Sequence, residues 1–105
     1  MRDVIQLSSV SWRKETTNLL NKIAKSRGED NYMEVRRESY NVLNERMGVS
    51  VETRLANAKK RMYENGCSKT KIEKLNALDV IEQDKKLIEG YMAIVKEMAI
   101  KYGVA

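Results

Sequence analysis

Between Asp79 and Gly103 the apolar residues recur at helical spacing, and this stretch restricts the fold more than any other part of the chain. Ile81, Ile88, Val95 and Tyr102 repeat every seven residues, and Asp84, Tyr91 and Met98 stand three positions further on. Val80, Leu87 and Ile94 flank the first row, while Met92 and Ala99 widen the second. A surface helix usually carries an apolar stripe a little over ~100° wide. Here three or four rows are apolar, and Glu82, Gln83, Glu89, Lys96 and Glu97 gather on the remaining side. The pattern predicts one long helix, opened by an Asp79-x-x-Glu82 capping box and stopped by Gly103. A face this broad either lies at the centre of its own domain or is shared with a second copy. On both readings Ile81, Ile88, Tyr91, Met92, Val95, Met98 and Tyr102 form the core or the oligomer seam. Gly90 costs roughly 1 kcal/mol relative to Ala inside a helix. It either admits another backbone closely or is merely tolerated.

The rest of the chain also reads as helix. It contains no Pro, and its few Gly residues fall almost entirely where a helix should end. Ser9 or Ser11 can open a first helix that runs from about Ser11 to Arg27 and is ended by Gly28, with Trp12, Leu19, Leu20, Ile23 and Ala24 as its apolar stripe and Thr16 among them. Trp12 reads as a core anchor, or alternatively as an exposed stacking residue. Asn31 followed by Glu34 suggests a second capping box before a helix over 32–47, which Gly48 stops. Its apolar lines are Tyr32, Val35, Ser39, Val42 and Arg46, then Tyr40, Leu43 and Met47. Ser50 opens a third helix over 51–64 with the stripe Val51, Leu55, Ala58 and Met62. Ser68 opens a short fourth over 69–78, with Ile72, Leu75 and Leu78 inward. Residues 1–8 read as a tail or the end of a linker, and 9–105 as a single helical domain. The expected architecture is all-α: a compact bundle of about five helices with a long carboxy-terminal helix. A domain of about this size buries roughly two-thirds of its unfolded surface and needs no disulfide.

Composition narrows the chemistry. With no His, neither a Ser-His nor a Cys-His nucleophile pair can be built, and mixed Cys/His zinc sites are excluded within one chain. No carboxylate spacing argues for a metal or an acid–base pair, so no catalytic, cofactor-binding or metal-binding residue is expected, and the chain reads as a non-enzyme. Cys67 is the single cysteine and reads as a small packing residue, consistent with a reducing cytoplasm. No apolar run approaches the roughly 18 residues of a membrane span, so no membrane association is expected.

The net charge of +5 is uneven. Residues 1–53 carry +1 and residues 75–105 carry −1, whereas residues 54–74 alone carry +5. That block contains Arg54, Lys59, Lys60, Arg61, Lys69, Lys71 and Lys74 on two consecutive predicted helices. Three readings fit: a solvated face, a surface for an acidic protein, or a helix-turn-helix in which Ser68, Lys69, Thr70, Lys71 and Lys74 meet DNA. No aromatic or Asn/Gln stands among these last residues to read bases.

Trp12-Arg13, Asn21-Lys22-Ile23-Ala24, Arg37-Glu38-Ser39-Tyr40, Arg54-Leu55 and Ser68-Lys69-Thr70-Lys71 carry a resemblance to a carboxy-terminal domain of phage antirepressor proteins, of the type that carries a BRO or KilA-N domain at the amino terminus. The resemblance is densest in Leu78-Asp79-Val80-Ile81 and in Ile94-Val95-Lys96-Glu97-Met98-Ala99-Ile100-Lys101-Tyr102-Gly103. It covers nearly the whole chain from about residue 10, and it implies an interaction domain that self-associates and binds a phage repressor protein in the bacterial cytoplasm. DNA binding is usually ascribed to the amino-terminal domain of such proteins, which leaves nucleic acid as the alternative partner here.

Overall fold

The computed structural model describes residues 2–28 and 31–104, with side chains from Ser11 onward. Among the described residues six helices follow one another: α1 (Arg2–Arg27), α2 (Tyr32–Met47), α3 (Val51–Glu64), α4 (Lys69–Lys74), α5 (Ala77–Glu82) and α6 (Lys85–Lys101). There is no strand among the described residues. The all-α architecture expected from the sequence is therefore present, with α6 as its long carboxy-terminal helix.

Several boundaries differ from expectation, each for a local reason. Helix α1 begins at Arg2, so neither Ser9 nor Ser11 is its cap and the expected tail is helical from Arg2. No Gly or Pro precedes Gly28, so nothing in the chain interrupts the helix earlier. Asn31 makes no side-chain cap bond to α2. Its amide Nδ2 donates instead to the Arg27 carbonyl at 2.7 Å and ties down the end of α1.

The predicted single helix over 79–103 is two helices. The break falls at Asp84, whose backbone is extended and whose Oδ1 accepts from Lys86 N–H at 3.0 Å. Short carboxylates compete with helical hydrogen bonding in this way, which is why they favour caps over interiors. Upstream, α4 ends at Lys74 rather than running to Leu78, because Leu75 and Asn76 adopt extended backbones. The capping box then lies one turn earlier than expected. The Asn76 side chain accepts from Asp79 N–H at 3.1 Å, and Asp79 Oδ2 accepts from Asn76 N–H at 3.0 Å. Glu82, freed from a capping role, pairs with Arg13 Nε at 3.1 Å. At the far end, Gly103 at φ 72 allows Gly103 N–H to reach Ile100 O and Val104 N–H to reach Ala99 O, satisfying carbonyls of the last turn.

Helices α1, α2 and α6 make the main body. Helix α1 lies parallel to α6, since Arg13 meets Asp79 and Glu82 just before it while Arg27 meets Tyr102 at its end. Helix α2 runs the other way, with Glu38 at Tyr102 and Arg46 at Glu97. Tyr91 sits between them, fully buried. Its ring meets Trp12 of α1 edge-on at 6.3 Å and stacks on Tyr40 of α2 at 5.6 Å. Its hydroxyl lies 2.8 Å from Ser39 Oγ, and Ser39 Oγ donates to the Arg36 carbonyl at 2.6 Å. The Ser39 proton is thus committed, so Tyr91 is the donor of the pair. Burial pushes the Tyr91 phenol well above its ordinary range and keeps it a neutral donor. Leu20, Ile23, Val35, Leu43, Leu87, Ile94 and Val95 fill the core around it.

The start of α3 is tied to α2 by Asn44. The Asn44 side chain accepts from Val51 N–H at 3.0 Å and donates to Glu52 at 2.9 Å, while Ser50 caps the helix through Thr53 N–H. Helix α5 packs between α3 and α6. Gly90 faces Met47: an added Cβ would stand 3.1 Å from Met47 Sδ. The close neighbour is thus a flexible side chain rather than a second backbone.

Two outcomes follow. Gly90→Ala should raise stability by about 0.5 kcal/mol, the helix-propensity gain less the cost of moving Met47; a loss above ~1 kcal/mol in urea unfolding would mean that Met47 cannot yield. Asp79→Ala should cost about 1–2 kcal/mol at pH 7. Burial raises the Asp79 carboxyl, but the Asn76 N–H and the Arg13 guanidinium outweigh it and leave it below the ordinary value. The contribution is then complete above about pH 4 and lost as pH falls through the depressed value, so the gap between variant and parent should shrink toward pH 3.

Candidate interaction surface

The seam residues divide into two groups. Ile81, Tyr91, Val95 and Met98 are buried within the chain itself, and Ile88, Met92 and Tyr102 are half-buried against the same core. The broad apolar face of α6 therefore serves chiefly as the centre of its own domain. Trp12 is likewise fully buried, which leaves it no stacking role at the surface. Arg46, placed by its spacing among the apolar residues of α2, is exposed instead and forks onto Glu97 at 2.6 and 3.2 Å. Hydrogen bonding from that guanidinium holds the Glu97 carboxyl below its ordinary range.

The basic block falls on an arm formed by α3 and α4. Arg54, Lys60, Arg61, Lys69, Lys71 and Lys74 are exposed, and Lys59 is half-buried. Helix α4 is short, is capped by Ser68 through Lys71 N–H, and buries none of its residues. It packs chiefly on α3, with Ile72 and Leu75 half-buried. Cys67 is half-buried in the turn that joins the two helices.

The structure does not gather the whole block. Arg54 and Arg61 stand on one face of α3, one helical period apart twice over, with Asn57 between them. Together with Val80, Gln83, Asp84 and Lys85 they line a groove of about 400 Å³ between α3 and the α5–α6 junction. Lys69, Lys71 and Lys74 do not line it. Asp84 Oδ2 stands 3.6 Å from Arg54 Nη1, so the residue that caps α6 also faces the basic arm. Asn57, Gln83, Asp84 and Lys85 are absent from the sequence-derived contacts because a continuous helix over 79–103 puts Asp84 in an apolar row. Asp84 itself, a strong N-cap residue type, is the signal that would have marked a helix start there.

A second, smaller groove of about 280 Å³ runs between α2 and α6. Val42, Ile94 and Met98 line it, with Glu38, Arg46, Glu97 and Lys101 as its charged residues. The ion pairs Arg46–Glu97 and Lys101–Glu38 link the two helices beside it. Among the described residues, no three His, Cys, Asp or Glu side chains come together to hold a metal ion, and no helix is long and apolar enough to cross a membrane.

Comparison with protein-family models, with curated proteins and with solved structures finds no match to this chain.

The exposure of α4 has a direct consequence. Replacing Lys69, Lys71 and Lys74 together by Gln should change unfolding stability by no more than about 0.5 kcal/mol, the usual range for surface substitutions. A larger loss in urea unfolding would make those side chains part of the fold rather than of a free surface.

Proposed function

We propose that this chain is a non-enzymatic interaction domain of a phage or prophage antirepressor, one that self-associates and binds a phage repressor to relieve repression in the bacterial cytoplasm. The observation that carries the interaction role is the arm: a basic helix pair whose second member adds little to the core and turns its lysines to solvent. The antirepressor assignment rests on the resemblance alone. Half of the residues that carry it in Leu78–Ile81 and Ile94–Gly103 are buried in the core, and these account for the fold more directly than for the partner. For self-association, the half-buried Ile88, Met92 and Tyr102 and the exposed Ile100 supply apolar surface on α6. A stable interface buries roughly 1,600 Å² in total, so other helices must contribute.

The second reading is a DNA-binding module using residues 54–74. The exposed Lys69, Lys71 and Lys74 around a Ser68-capped helix start favour it. The shortness of α4 counts against it, since six residues span only about 9 Å of helix.

Light scattering on the purified chain should give a mass above the 12.1 kDa of one copy. The repressor encoded beside the parent gene should co-purify with it. A monomer at high concentration that captures no repressor would contradict the first reading. Binding to duplex DNA with a log–log salt slope of roughly −4 to −5, as for five phosphate contacts, would favour the second.

A further inference from the structure

We infer that the groove between α3 and the α5–α6 junction binds carboxylates of an acidic protein segment, and that Asp84 is the internal carboxylate such a segment displaces from Arg54. The walls carry three cations, Arg54, Arg61 and Lys85, against the single anion Asp84, and Asn57 and Gln83 add amide donors. The volume of about 400 Å³ lies within the roughly 300–1,000 Å³ typical of ligand clefts.

The unused hydrogen-bonding capacity of the two arginines sets this groove apart. A guanidinium presents five N–H donors in a fork matched to carboxylate. Arg13, Arg27, Arg36 and Arg46 each donate to a side chain of the protein. Arg54, Arg61 and the exposed Arg37 make no side-chain hydrogen bond among the described residues, and of these three Arg54 and Arg61 line the groove. Arg54 has only Asp84, at 3.6 Å through one nitrogen, where Arg46 holds Glu97 through two at 2.6 and 3.2 Å. Asp84 cannot close on Arg54 freely, because its other oxygen is held by Lys86 N–H at the start of α6. The groove thus contains a carboxylate on its arginine in an incomplete form, and a free Glu or Asp side chain completes it.

A protein carboxylate suits the site better than a DNA backbone. The cations line a groove between α3 and the α5–α6 junction instead of standing along one helix, and the α4 lysines that a phosphate strand would need lie outside it. This deepens the reading of the chain as a protein-binding domain and depends on it only in the class of partner. It requires neither self-association nor a repressor.

The test is an NMR titration of the full chain with an octaglutamate peptide. Saturable shifts are expected at Arg54, Asn57, Arg61 and residues 83–85. R54Q/R61Q should weaken binding about tenfold or more, as loss of charge-assisted hydrogen bonds implies. K69Q/K71Q/K74Q removes more charge yet should weaken it less than about threefold, since exposed charges away from the site act weakly. D84N can still cap α6 and should tighten binding about fivefold, while E73Q, the same charge change on α4, should leave it within about twofold. Affinities that follow the total charge removed wherever it lies, or indifference to D84N, would overturn the proposal. So would a short DNA duplex that shifts the groove residues at lower concentration than the peptide does. Because no repressor is used, failure here would leave the antirepressor reading standing, and success would not establish it.

Discussion

The fold depends on one buried phenol. Tyr91 touches all three long helices of the main body: Trp12 on α1, Tyr40 and Ser39 on α2, and the rest of α6 by continuity. A tyrosine placed so deeply must find a partner for its hydroxyl or pay about 1–3 kcal/mol of desolvation. Ser39 supplies that partner only because its own proton is directed to the Arg36 carbonyl. The pair therefore fixes the rotation of α2 against α6, while the aromatic contacts fix α1. Aromatic pairs and buried hydrogen bonds are directional, which makes this centre more specific than aliphatic packing alone.

Asp84 connects that core to the surface. By opening the backbone between α5 and α6 it lets α5 turn away and pack against α3, and α3 in turn carries the basic arm. The same side chain faces Arg54 across the groove. One residue thus sets where the long helix begins and what charge the groove contains. An uninterrupted helix over 79–103 would have neither the α5 bend nor the recess beside it.

Periodicity made the helices legible, and capping made some of their ends so. Ser50, Ser68, Gly48 and Gly103 act where the sequence places them, because each is the sole strong cap or stop at its position. Around Asp79 two overlapping boxes of equal spacing compete, Asn76-x-x-Asp79 and Asp79-x-x-Glu82. Local pattern does not rank them; the extended backbone at Leu75 and Asn76 and the pull of Arg13 on Glu82 decide it. Asp84 was obscured for a different reason: it stands at the spacing of an apolar row. The basic block was visible as charge, but Lys85 joins Arg54 and Arg61 only through tertiary folding, so the groove was not. The Tyr91–Ser39 pair, 52 positions apart in sequence, left no local trace.

A closely packed α1–α2–α6 body around Tyr91 contrasts with a peripheral α4 that packs chiefly on α3. Native-state amide hydrogen exchange measures that contrast directly. The amides of Tyr91, Ile94, Val95 and Met98 should exchange only through global unfolding, and those of Ile72 and Lys74 through local opening at much lower free energy. Equal protection of α4 and α6, or rapid exchange in the middle of α6, would contradict it.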